Sequence, residues 1–161
     1  MRRLAGWMLM TALLAGCDAN SSPTSPSTTG LSTATLTATL ERAIQDEYRA
    51  EAIYQGVLGD IGPGLPFTNV LGAAERHSAA VGRLFAARSL AVPPSTSTVA
   101  SVPHFASVAA ACAAGVVAER ENIALYDELL RTDLPADVRQ VFSNNRSASL
   151  VNHLPAFERC Y

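Results

Sequence analysis

Lysine is absent from this chain of 161 residues, and beyond the Arg2-Arg3 pair its cationic side chains are arginines spread singly. Nucleic-acid binding draws on clustered positive charge that displaces counterions, so the sequence argues against a nucleic-acid partner. Cysteine is scarce: Cys17, Cys112 and Cys160 form no CxxC pair and no Cys/His zinc spacing. The strict apolar/polar alternation of a half-buried β-strand is missing. There is no GxSxG turn to expose a nucleophilic serine and no glycine-rich loop to cradle phosphate. Long apolar runs are lacking too. Leu4 to Gly16 is unbroken by charge, but thirteen residues make only about 20 Å of helix against a bilayer core of about 30 Å.

That short run follows the cationic start Met1-Arg2-Arg3 and ends at Cys17, which is the layout of an export signal. Leu14-Ala15-Gly16-Cys17 resembles the lipobox of bacterial lipoproteins. The resemblance implies cleavage after residue 16 and lipidation of Cys17. Residues 17–32 are rich in Ser, Thr and Pro and cannot form a core, so they read as a tether. The sequence thus expects a signal peptide (1–16), a lipidated tether (17–32) and one folded domain (33–161). It expects a cell-envelope location with that domain facing the periplasm or the exterior. The membrane is then a partner through the lipid; no protein partner can be named, and a homodimer is compatible with the sequence. Without Arg2 and Arg3, ten arginines face fourteen acids, a net charge of about −4.

The rest of the chain has the three-and-four spacing of amphipathic helices. The first should span about 35–58, with Leu36, Leu40, Ile44, Glu47, Glu51, Tyr54 and Leu58 on one stripe. Gly59, Gly62, Pro63 and Gly64 then turn the chain. A second helix, about 66–90, carries Phe67, Val70, Ala74, His77, Val81 and Phe85. A third, about 105–131, carries Val108, Cys112, Val116, Glu119, Ile123 and Tyr126. A fourth opens at Pro135 and runs to about 159, with Val138, Phe142, Leu150, His153, Leu154 and Phe157. Pro155 should free the Val151 carbonyl and kink it.

Short connections make helices one and two, and three and four, antiparallel hairpins. The middle connection, about 91–104, is Pro/Ser/Thr-rich. Extended it reaches roughly 45 Å, enough to run the length of a helix of about 37 Å. The expected fold is therefore all-α: an antiparallel four-helix bundle with one long crossover between helices two and three. Cys112 then faces a position near 154, between one and two turns from Cys160. In an oxidising compartment a bridge between them would tie the start of helix three to the end of helix four.

Four ionisable residues on these stripes should face the core, one from each helix: Glu47, His77, Glu119 and His153. Glu47 and His77 should be level, whereas Glu119 and His153 should be offset by about 9 Å. A buried carboxylate needs a hydrogen bond, a cation or a metal. Two carboxylates with two neutral imidazoles carry a charge that one divalent ion would neutralise. Glu51, one turn after Glu47, is a further candidate ligand.

Glu47-Tyr-Arg-Ala50-Glu-Ala-Ile-Tyr54, Glu75-Arg76-His77, Ala114-Gly115 with Glu119, and Asn152-His153-Leu154-Pro155-Ala156-Phe157 together resemble the ferritin-like superfamily. The likeness is greatest to a bacterial branch of ferritin-like domains of unknown function, and it covers about residues 36–160. It implies a metal held between four helices. In that family's di-iron pattern, Glu-x-x-His motifs in helices two and four supply bridging carboxylates, but those positions here are Ala74 and Leu150. A two-iron ferroxidase is therefore not expected, and no residue is assigned a catalytic role. What is left is a single divalent ion (Fe, Mn or Zn) held by Glu47, His77, Glu119 and His153, with Glu51 as a fifth candidate. The alternative is a metal-free scaffold or interaction module of the cell envelope.

Overall fold

A computed structural model describes residues 31–160; the expected signal, Cys17 and the tether up to residue 30 lie outside them. Ser32 caps the first helix, its hydroxyl accepting from the Thr35 amide at 3.1 Å. That satisfies one of the free donors at a helix start. Helix α1 then runs Thr33–Ile61 and ends at Gly62, whose φ of 83° suits a residue without a Cβ. Helix α2 spans Phe67–Ala86 and helix α3 spans Val108–Leu129, the latter capped by Ser107. Helix α4 spans Ala136–Ala148 and passes through a π-helical segment, Ser149–His153, into the short helix α5, Leu154–Glu158.

The architecture is all-α, a bundle of four helices in which α4, the π segment and α5 act as one rod, with no strand among the described residues. None of the described helices is long and apolar enough to cross a membrane. The π segment ends at His153, two residues before Pro155, the residue at which the sequence predicts a kink. Leu154 donates to the Ser149 carbonyl, five residues back. Inward positions Ser149, His153 and Phe157 are four residues apart, and a step of four overshoots a full α-turn by about 40°. The wider π turn takes up that overshoot, so all three stay buried.

Cross-helix partners fix the register. Arg42 meets Glu128 and Arg49 meets Glu121 between α1 and α3, one number rising as the other falls. Between α3 and the α4–α5 rod, the partners are Asp127 with Arg146, Asn122 with Ser149, and Cys112 with Cys160. Residues 87–107 connect α2 to α3 along the side of α1. The Gln45 amide donates to the Pro94 carbonyl at 2.8 Å and accepts from Thr96. Further on, Val99 and Val102 cover Gly56, and Asp60 accepts from the Phe105 amide at 2.8 Å and from His104 Nδ1 at 2.9 Å.

The bond from His104, and then that from the Phe105 amide, holds Asp60 below the usual aspartate range. A depressed folded pKa means the contribution is full above the unfolded value of about 3.9 and is lost as pH falls through the folded one. The end of the crossover is therefore expected to loosen in acid before the core does. Amide exchange at Phe105, corrected for its intrinsic pH dependence, should lose protection below about pH 4 while Tyr126 keeps its own. Equal loss at both amides would count against this role for Asp60.

Two apolar clusters make up the core. One contains Leu40, Ile44, Val81, Phe85, Tyr126, Val138 and Phe142; the other contains Tyr54, Val57, Phe67, Val70, Cys112 and Phe157. In each long helix and in the rod, the polar residue falls between the stretches feeding the two clusters. The core is thus divided by a polar layer.

Candidate metal centre

In that layer α1 supplies Glu47, α2 His77, α3 Glu119 and the π segment His153. Glu47 and Glu119 are 1% and 4% exposed, so neither carboxylate is solvated from outside. They are satisfied crosswise. Tyr126 of α3 donates to Glu47 Oε1, and Tyr54 of α1 donates to Glu119 Oε1, each at 2.7 Å. Each tyrosine stands seven residues after the glutamate on its own helix, so the two helices make the same exchange with each other. Burial first, and then the facing glutamate's charge, raises both phenols well above their ordinary pKa, so they remain protonated donors.

The second oxygen of each carboxylate faces a histidine. Glu47 Oε2 lies 3.4 Å from His77 Nδ1, and Glu119 Oε2 lies 3.3 Å from His153 Nδ1. The two imidazoles stack with centroids 5.5 Å apart, which brings the two pairs face to face. The offset of about 9 Å expected between Glu119 and His153 is absent. Residues 130–135 carry the chain past the end of α3 before α4 begins, and Arg139 reaches back to the Leu130 and Thr132 carbonyls. The first turn of α4 therefore overhangs α3, and His153 is drawn level with Glu119.

Several sequence expectations change. Glu51 takes the Ser78 hydroxyl on the α1/α2 seam and does not line the central cavity. Burial is the main influence on its carboxyl and raises its pKa, while the Ser78 bond lowers it. Leu150, placed on the inner stripe by spacing, is 41% exposed, and Val108 is 47% exposed. The inner residue one turn before His153 is Ser149, so neither reading of the fourth helix provides a bridging carboxylate. Ala74 is buried at the cavity wall. Sequence reading missed Asn122, Asn145 and Ser149, all buried here. Asn145 donates to the Tyr126 hydroxyl at 3.0 Å, and Ser149 donates to Asn122 Oδ1 at 2.8 Å. Their signal was spacing: Asn122 stands three residues after Glu119, and Asn145 and Ser149 continue the stripe of Val138 and Phe142.

The cavity between the pairs measures about 10 Å³, space for one water-sized particle. A nitrogen and an oxygen bound to one ion at about 2.1 Å, at angles from roughly 90° to 110°, lie roughly 3.0–3.4 Å apart. The two Nδ1–Oε2 separations fall within that span, and both exceed a good charge-assisted hydrogen bond of about 2.7–2.9 Å. Within each pair, donor type and spacing fit a divalent ion. Across the pairs, no group of three or more His, Cys, Asp or Glu side chains among the described residues is already arranged about one point. One ion would have to draw the pairs together. No carboxylate stands at the buried positions one turn before the two histidines, which are Ala74 and Ser149.

Cys112 and Cys160 form a disulfide with Cα atoms 5.7 Å apart, below the polar layer in the cluster that contains Phe157. His104 stays at the surface, its side chain 69% exposed and paired with Asp60. Comparison with protein-family models, with curated proteins and with solved structures finds no match to this chain.

Proposed function

We propose that this chain is a ferritin-like, antiparallel four-helix bundle that binds one divalent cation at its centre and is held in the cell envelope by a lipid on Cys17. The observation that carries the metal reading is the pair of glutamate–histidine couples, one residue from each helix, facing each other across a cavity for a single ion. The antiparallel arrangement is supported by the opposed numbering of the α1/α3 partners and the α3/α4–α5 partners. The path of residues 87–107 beside α1 supports the long crossover. Support for the anchor is the sequence Leu14-Ala15-Gly16-Cys17 with its cationic and apolar lead. Glu47, His77, Glu119 and His153 would hold the ion, and a divalent charge would offset the two buried carboxylates. No catalysis is assigned to it.

A second reading, a metal-free scaffold, is favoured by a different observation. Every buried side-chain nitrogen and oxygen among the described residues already has a hydrogen-bond partner. Metal content separates the two readings. The chain, purified without chelator, is expected to hold about one Fe, Mn or Zn, lost in Glu47→Gln and His153→Asn while far-UV circular dichroism is unchanged. No metal after reconstitution with all three would leave the scaffold. Close to two per chain would mean that ligands other than the missing bridges complete a dinuclear site.

A further inference from the structure

The cavity has one wall that the four proposed ligands do not use. Asp46, Arg49 and Ala50 of α1 and Ala118 and Asn122 of α3 form it. Each helix contributes an alanine to that wall, Ala50 and Ala118, and an alanine gives little side-chain cover. Outside the same seam lies a surface groove of about 200 Å³, bounded by Phe105, Val117 and Glu121 among others. Groove and cavity share Arg49, Ile53 and Ala118, so one layer of side chains separates solvent from the centre.

The polar atoms of that layer form a line inward. Arg49 is tied outward to Glu121 Oε2 at 2.8 Å and inward to Asp46 Oδ1 at 3.5 Å. Its side chain is 40% exposed, whereas that of Asp46 behind it is 15% exposed. Asp46 Oδ2 accepts from Asn122 Nδ2 at 2.8 Å, and the same nitrogen lies 3.5 Å from Glu47 Oε1. A carboxylate thus stands between a cation at the surface and a carboxylate at the centre. Burial, the largest influence on the Asp46 carboxyl, works against its charge.

We infer that this seam is the entry route for the divalent cation, with Asp46 the relay carboxylate and Arg49 its displaceable cover. The inference rests on the metal reading above. A cation crossing the apolar clusters at either end of the centre would lose all its hydration without a compensating charge. At the seam it exchanges water for Asp46 and then for Glu47. Arg49 occupies the place the ion must pass and repels it by like charge. When its guanidinium swings out to Glu121 alone, Asp46 is uncovered.

The test is the rate at which the metal-free chain takes up Co²⁺, followed by ligand-field absorption, with final stoichiometry from mass spectrometry. Asp46→Asn is expected to slow uptake about tenfold and Arg49→Met to speed it about threefold. Both should end at the wild-type stoichiometry and spectrum, and Asp46→Glu should restore most of the rate. Circular dichroism screens out misfolded variants. Wild-type rates in both Asp46→Asn and Arg49→Met would overturn the route. A lower stoichiometry or altered spectrum in Asp46→Asn would also overturn it, by making Asp46 a ligand. Failure of the wild-type chain to take up Co²⁺, Fe²⁺, Mn²⁺ or Zn²⁺ would instead remove the metal reading itself, and the route with it.

Discussion

Phe157→Ala is expected to lower the stability of the bundle by about 3–5 kcal/mol, and Gly115→Ala by about 1–3 kcal/mol, yet the two costs should not add. Phe157 is fully buried, and its ring lies 5.3 Å from Tyr54 and 5.5 Å from Phe67, centroid to centroid. Removing it leaves a large void next to the tyrosine that serves Glu119. Gly115 on α3 is the floor on which the ring rests. A Cβ there would lie 2.6, 2.7 and 2.8 Å from three Phe157 ring atoms, closer than carbon atoms approach. The ring cannot swing aside, because Tyr54 and Phe67 hold its other faces.

In the Phe157→Ala background that obstacle is gone. Gly115 is an ordinary helix-interior position there, where alanine is favoured over glycine by roughly 0.5–1 kcal/mol. Gly115→Ala should therefore change sign, from destabilising in the wild type to mildly stabilising in the variant. Urea unfolding of the four proteins of the cycle reads the coupling directly. Additive costs within about 0.5 kcal/mol would mean that the ring and the glycine are not in contact.

Reduction of the Cys112–Cys160 disulfide should have the other large effect. The two cysteines are 48 residues apart, and opening a loop of that length returns chain entropy worth about 4 kcal/mol in the loop-closure picture, with measured values commonly 2–4. The bridge fastens α5, a helix of five residues, which could not hold its place by its own backbone bonds. Loosening should therefore begin at α5 and pass to the π segment. Reductant is expected to lower the urea midpoint and to speed amide exchange at Phe157 and His153 more than at Val81. An unmoved midpoint would show that packing alone secures this end.

How far the site was legible from sequence varies by residue. Glu47 and His77 are joined by a short connection, so counting back from the turn brings them level, as they are. Glu119 and His153 are joined by a connection of similar length, but counting failed there because residues 130–135 extend past α3 before turning. Sequence spacing cannot reveal that overhang, since the register is fixed by partners on the two helices, Asp127 with Arg146 and Asn122 with Ser149. The crosswise Tyr54–Glu119 and Tyr126–Glu47 bonds were equally hidden. Each joins residues on different hairpins, and nothing within a single helix specifies the partner.

The sequence by itself determined the helices, their approximate ends, most of each apolar stripe and the inward placing of Glu47, His77, Glu119 and His153. Those features are local: propensity, caps and a period near 3.6 act over a few residues. Tertiary packing alone decided the rest. It turned Leu150 outward at the π segment, and it sent Glu51 to Ser78 instead of the centre. It also set Gly115 beneath a phenylalanine 42 positions away along the chain. The physical reason is the cost of burial: a carboxylate, a ring or an extra residue in a helical turn is tolerated only where neighbours from other helices satisfy it.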